Sequence, residues 1–236
     1  MHISFMWDDE SVNARHSDFI LSMGWIKHGW DVLYFDYRLN GEGYGNDKMN
    51  HSIIQLVKQY NPDILFLSKP QGSSAIMGKR KSIYLKPYVI KQIRKNGYKG
   101  VILHWYLDQR KDLYPRTVEI ARECDWFFHV AGDWRLREYY QAVGVPTSFV
   151  LAPFEPSFLK PKPFEERDID LIWMGGSHKP NRNQFDSFRY DFLSKIIAKN
   201  LIKDYYGCFG SRKIWCPEYQ DMLGRSKAGL SLYAFD

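Results

Sequence analysis

Two glycines closing an apolar run, followed by a hydroxyl and a group of cations, are the residues of this chain best suited to chemistry. The run is DIDLIWMGGSHKPNR, residues 168 to 182. Glycines at a strand's end let backbone N–H groups approach an anion, and Ser177 adds a hydroxyl donor. Lys179 and Arg182 bring positive charge within reach of a diphosphate, Arg182 by a two-pronged contact. A second stretch, Gly207-Cys208-Phe209-Gly210-Ser211-Arg212, again sets glycine, hydroxyl and arginine together where a strand should end. Two such ends facing one crevice would make an anion site from Gly175, Gly176, Ser177, Lys179, Arg182, Ser211 and Arg212. Each stretch also reads as a tight turn with surface cations, because glycine commonly punctuates turns. Neither is a G-x-G-x-x-G dinucleotide fingerprint, and there is no GxxxxGK loop ending in Ser or Thr.

Carboxylates form the second group. Asp8, Asp9 and Glu10 follow the first apolar run, and one of them can take a proton from a hydroxyl. Acidic residues also favour helix N-termini, and a helix is expected from Ser17, so capping accounts for at least one. A later run ends His104-Trp105-Tyr106-Leu107-Asp108. Asp108 sits where a strand would deliver it to a ligand, and Trp105 or Tyr106 could stack on a ring. His104 and Asp108 could belong to one acid/base site, with His104 the weaker candidate because a lone strand histidine more often sits in the core; His129 reads as a core residue. Metal motifs such as HExxH or paired Cys and His are missing, as is the G-x-S-x-G elbow of a serine nucleophile. The basic stretch from Lys69 to Lys86 suits a phosphate backbone or a solvated loop equally.

These residues need elements to position them, and the sequence supplies an alternation. Apolar runs at 2–7, 31–37, 63–69, 101–108, 126–131 and 147–152 read as strands. Helical patterns separate them, beginning at Ser17, His51, Tyr88, Thr117 and Asp133. The stretch 39–48, LNGEGYGNDK, reads as a loop. Strict alternation predicts an α/β fold with an open parallel sheet covered on both faces. In such sheets ligands lie beyond the carboxyl ends of the strands. Residues 153–168 are proline-rich and read as a linker between a domain at 1–152 and another at 169–236. After the linker the alternation restarts: a strand at 170–176, a helix at 187–200, a strand at 204–210, a helix at 218–228 and a strand at 229–236. Open sheets usually carry more strands, so the second domain reads as incomplete, in a shortened chain or a naturally short protein.

Composition bounds the function. With 236 residues, 44% hydrophobic and 25% charged, the chain is long enough for a substantial core. A net charge of +6 favours anionic partners such as nucleotides or nucleic acid. Three cysteines, Cys124, Cys208 and Cys216, form no even framework and no CxxC. The first residues lack the pattern of a signal peptide, and no apolar run reaches membrane-spanning length, so a cytoplasmic protein is expected.

Several stretches in order, NPDILFLSK, WYLDQ, CDWFFHVAGDWRLREYYQAVG, LAPFEPSFLKPK and DIDLIWMGGSHKPNR, resemble the GT-B glycosyltransferases, in particular the CgeB-like, spore-maturation-type group of the family 4-like transferases. The resemblance runs over nearly all of the chain. It implies two Rossmann-like domains. The N-terminal one would hold an acceptor, and the C-terminal one a nucleotide-activated sugar such as a UDP- or GDP-sugar, with no bound metal required. The donor diphosphate would meet Gly175, Gly176, Arg182 and Arg212. The acceptor could be a glycan, a protein or a modified DNA base. The family continues into an R-x-x-E or E-x(7)-E-like region that grips the donor, whereas this chain stops at Asp236 before it. A nucleic-acid-binding protein without chemistry is the other reading of the same charge and aromatic content.

Overall fold

The computed structural model describes residues 1–4, 17–68, 70, 83–106, 115–130, 137–138, 140–141, 144–150, 161–176, 184–214 and 218–231. These fall into two compact units, one up to residue 150 and one from residue 161.

The first unit carries a six-stranded parallel sheet in the order β2-β1-β3-β4-β5-β6. Its strands are β1 (His2–Ser4), β2 (Tyr34–Asp36), β3 (Ile64–Ser68), β4 (Val101–Tyr106), β5 (Trp126–His129) and β6 (Thr147–Phe149). The helices are α1 (Ser17–Lys27), α2 (Tyr37–Tyr44), α3 (Asn46–Tyr60), α4 (Pro87–Lys95) and α5 (Pro115–Ala121). The fold is therefore α/β with parallel pairing, as the alternation predicts.

Side chains alternate across the sheet. Ile3, Leu65, Leu67 and Ile102 join Ile53, Val57, Val89 and Ile93 in one buried cluster. On the opposite face His2 packs edge-on against Tyr34 and Phe66, and its Nδ1 lies 2.7 Å from the hydroxyl of Ser22 on α1. Local signals set the helix ends. Pro87 opens α4, where its missing N–H costs nothing. Asn61 closes α3 in the left-handed conformation at φ 41°, its N–H donating to the Val57 carbonyl. The buried Asn50 amide donates to the carbonyls of Asn46 and Tyr84, and its oxygen accepts the Lys86 N–H, tying α3 to the approach of α4.

The stretch 39–48 is a correction. It is helical, forming most of α2 and the start of α3, with a break only at Gly45, φ 87°. Gly41 is a packing residue and Gly45 a turn residue. A Cβ on Gly41 would lie 2.4 Å from Ile83 Cγ2, whereas one on Gly43 would meet nothing within 4 Å.

The second unit has three parallel strands, β7 (Ile169–Met174), β8 (Asp204–Tyr206) and β9 (Ser226–Gly229), in the order β8-β7-β9. Two helices, α6 (Gln184–Ala198) and α7 (Glu218–Arg225), connect them. Trp173 and Leu171 pack with Leu193 and Ile196 of α6, while Ile172 and Met174 pack with Met222 of α7, so both faces of β7 are covered. The last strand begins at Ser226, directly after α7, rather than at residue 229. The Ser226 hydroxyl donates to the Met222 carbonyl at 2.6 Å, ending the helix without a loop. Residues 161–168, read from the sequence as the end of a linker, are fastened to this unit. Lys162 N–H donates to the Gly224 carbonyl, Arg167 donates to the Lys162 and Ser226 carbonyls, and Asp168 takes a two-pronged contact from Arg225. That contact holds the Asp168 carboxyl down at about 2.

His104 sits on β4 with no exposed surface, edge-on to Phe127 at 4.8 Å. Burial pushes its pKa from 6.5 down to about 3. The folded state therefore refuses a proton that the unfolded chain accepts. Stability from this residue is complete above pH 6.5 and is lost as pH falls from there toward 3. We expect His104→Leu to flatten that slope, sparing about 2.5 kcal/mol between neutral pH and about pH 4.5. Urea denaturation at a series of pH values checks this. A second pair tests the glycines: Gly43→Ala should stabilise by about 0.5 kcal/mol, and Gly41→Ala should destabilise.

Candidate functional site

The candidate site lies in the second unit and begins with how Gly175 is held. Its N–H donates to the Tyr206 carbonyl at 3.0 Å, extending the β7–β8 pairing by one residue. Its carbonyl accepts the Trp173 indole N–H at 2.9 Å. Gly207, at φ 82°, comes so close that a Cβ there would stand 3.3 Å from the Gly175 oxygen. The strand tip is thus fixed on three sides, by β8, by the Trp173 ring and by the turn at Gly207. Gly175 itself cannot offer its N–H to an anion. Gly176 is exposed, and its N–H meets no backbone acceptor among the described residues.

Beyond this tip is a cavity of about 350 Å³. Gly175 and Gly176 after β7 and Gly229, Leu230 and Ser231 at the end of β9 form its strand side. Arg189 of α6 and Tyr219 of α7 line it from the two helices, which cover opposite faces of β7. The strand order reverses direction between β7 and β9, and a ligand crevice is expected just outside the carboxyl ends of strands that part in this way. The volume is at the lower end of the range for small-molecule sites. A guanidinium, an exposed glycine tip, a serine and an aromatic ring around one opening suit an anion joined to a flat ring.

The other residues named from the sequence divide into two groups. Ser177, Lys179, Arg182, Asp8, Asp9 and Asp108 lie outside the described residues. Ser211 and Arg212 are described, and neither lines the cavity. The Ser211 hydroxyl donates to the Cys208 carbonyl at 2.6 Å and faces the Cys208 N–H at 3.2 Å, closing the turn after β8. Arg212 makes a two-pronged contact with Glu218, and its guanidinium lies 5.5 Å from the Tyr206 ring centre. That pairing raises the Arg212 pKa and lowers that of Glu218. Both side chains thus hold partners within the second unit.

Arg189 was not singled out by the sequence reading. Its signal was its place, in the helix that follows the glycine tip, on the side from which a helix after a parallel strand approaches the ligand end. Among the described residues no group of three or more His, Cys, Asp or Glu side chains is placed to hold a metal ion, and no helix is long and apolar enough to cross a membrane. No family model matches the sequence, and no curated protein matches it.

Gly207 is the most direct handle on the tip. Gly207→Ala combines a left-handed backbone with crowding of the Gly175 carbonyl. It should cost about 1–2 kcal/mol in urea denaturation, whereas Ser211→Ala, which keeps the backbone turn, should cost about 1 kcal/mol or less.

Proposed function

We propose that the protein is a nucleotide-sugar-dependent glycosyltransferase of GT-B type, with the second unit as its donor domain and the first as its acceptor domain. The observation that carries this reading is the convergence of Gly176, Arg189, Tyr219 and Ser231 on one cavity at the carboxyl ends of β7 and β9. Arg189 would meet the diphosphate of a UDP- or GDP-sugar, joined by Ser177, Lys179 and Arg182 from the segment that follows the tip. Tyr219, 37% exposed, would stack on the base. Cations placed at a departing diphosphate stabilise charge that grows in the transition state, commonly the largest electrostatic contribution to such a rate. Asp108, or a carboxylate among Asp8, Asp9 and Glu10, would take the proton from the acceptor hydroxyl. The sequence resemblance to GT-B transferases points the same way.

The nucleic-acid reading would draw on the basic stretch 69–86, in which Lys86 pairs with Asp47 at 2.5 Å.

A thermal-shift panel of UDP, GDP and their sugars tests the proposal. A ligand present at about 100 times its dissociation constant stabilises the folded state by about 2.7 kcal/mol, enough for a shift of several degrees. Arg189→Ala should abolish the shift and Arg212→Ala should leave most of it. The opposite order, or no shift with any nucleotide, would refute the site.

A further inference from the structure

The first unit has a cavity of its own, and it lies at the opposite end of the strands from the usual ligand edge. It holds about 420 Å³. Residues 31–33 before β2, residues 61–63 before β3, and Met1 before β1 all line it, which places it at the amino ends of those strands. Its walls are aromatic. Trp25 and Trp30 stand edge to face, 5.7 Å apart at 88°, and Phe66 meets Trp25 at 5.9 Å and 61°. Trp30 is 43% exposed and Tyr60 54% exposed, so large apolar surface stays open to solvent at the mouth.

Two carboxylates stand at the opening. Asp31 and Asp63 both line the cavity, both are exposed, and neither forms an ion pair with a described residue. The carboxyl ends of two helices, α1 and α3, terminate beside it at Lys27 and Tyr60, where the partial negative charge of the last carbonyls is met by Lys27 and Lys58 in the same turns. The Met1 ammonium also lines the cavity and donates to the Ile64 carbonyl at 2.7 Å; burial lowers its pKa, and the nearby Asp63 carboxylate acts the other way to a smaller extent.

Rings set at steep angles enclose a rounded cation on several sides, whereas parallel rings would suit a flat guanidinium or base. Ring faces attract such cations, Trp most strongly. From this geometry we propose that the cavity framed by Trp25, Trp30, Tyr60 and Phe66, with Asp31 and Asp63 at its mouth, binds a small quaternary ammonium compound. The site is separate from the nucleotide reading and does not rest on it.

Titration calorimetry with choline chloride, on the full chain, is the test. Choline should bind saturably, and its neutral carbon isostere 3,3-dimethylbutan-1-ol should bind roughly tenfold more weakly. Trp30→Ala should remove binding, with folding checked by circular dichroism. Asp31→Asn, which preserves shape, should weaken it roughly fivefold. Failure of choline to bind would overturn the proposal. So would equal affinity for the isostere, a preference for arginine methyl ester over choline, or unchanged binding in Trp30→Ala. Capture by phosphatidylcholine vesicles without binding of free choline would also overturn it, by pointing to a membrane surface instead.

Discussion

The account turns on the seating of one glycine. Gly175 continues the β7–β8 ladder through its N–H and is gripped at its carbonyl by the indole of Trp173, itself buried to 5% exposure. A side chain at Gly207 would crowd that carbonyl and strain a left-handed backbone, so glycine is favoured in the turn after β8. Because Gly175 is held, the residue after it is delivered to a fixed place at the mouth of the cavity. Arg189 and Tyr219 arrive there from helices on opposite faces of the same strand. A rigid backbone seat with side chains converging from separate elements is the arrangement that preorganised binding requires.

Charge pairing within the second unit sharpens this picture. Arg212 is engaged by Glu218, Arg225 by Asp168 and Lys227 by Asp170. Two of these pairs clip β7 to the α7–β9 corner, with carboxylates on or just before β7 meeting Arg225 at the end of α7 and Lys227 on β9. The positive balance of the chain is therefore not simply a reservoir for ligands. Part of it fastens the short sheet, which has few strands and needs such edges held. Arg189 differs in its position, on the cavity lining.

Much of the architecture was legible because it follows from local pattern. Runs such as ILFL and VILHWY are too apolar for a half-exposed strand, and their alternation with helical segments dictates parallel pairing. The end of the strand at the glycine tip 175–176 was also legible, since glycine commonly punctuates such ends. What escaped was decided by partners. The segment LNGEGYGNDK looked like a loop because glycine is a poor helix former, yet Gly41 is required by the proximity of Ile83. Ser211 and Arg212 looked like ligand contacts because their types are right. Their hydroxyl and guanidinium are taken by Cys208 and Glu218, and residue type alone does not reveal that. Arg189 was hidden for the converse reason. It is an ordinary helical arginine until the fold brings it beside the tip. The aromatic cavity of the first unit was equally invisible, because Trp25, Trp30, Tyr60 and Phe66 are joined only by the packing of α1 and α3 around β1 and β3.

The most direct measurement of the central claim is amide chemical-shift mapping on the isotopically labelled chain as UDP is added. The account predicts saturable shifts concentrated at Gly175, Gly176, Arg189, Tyr219 and Gly229 to Ser231. Saturable shifts gathered elsewhere, with these amides unmoved, would contradict it.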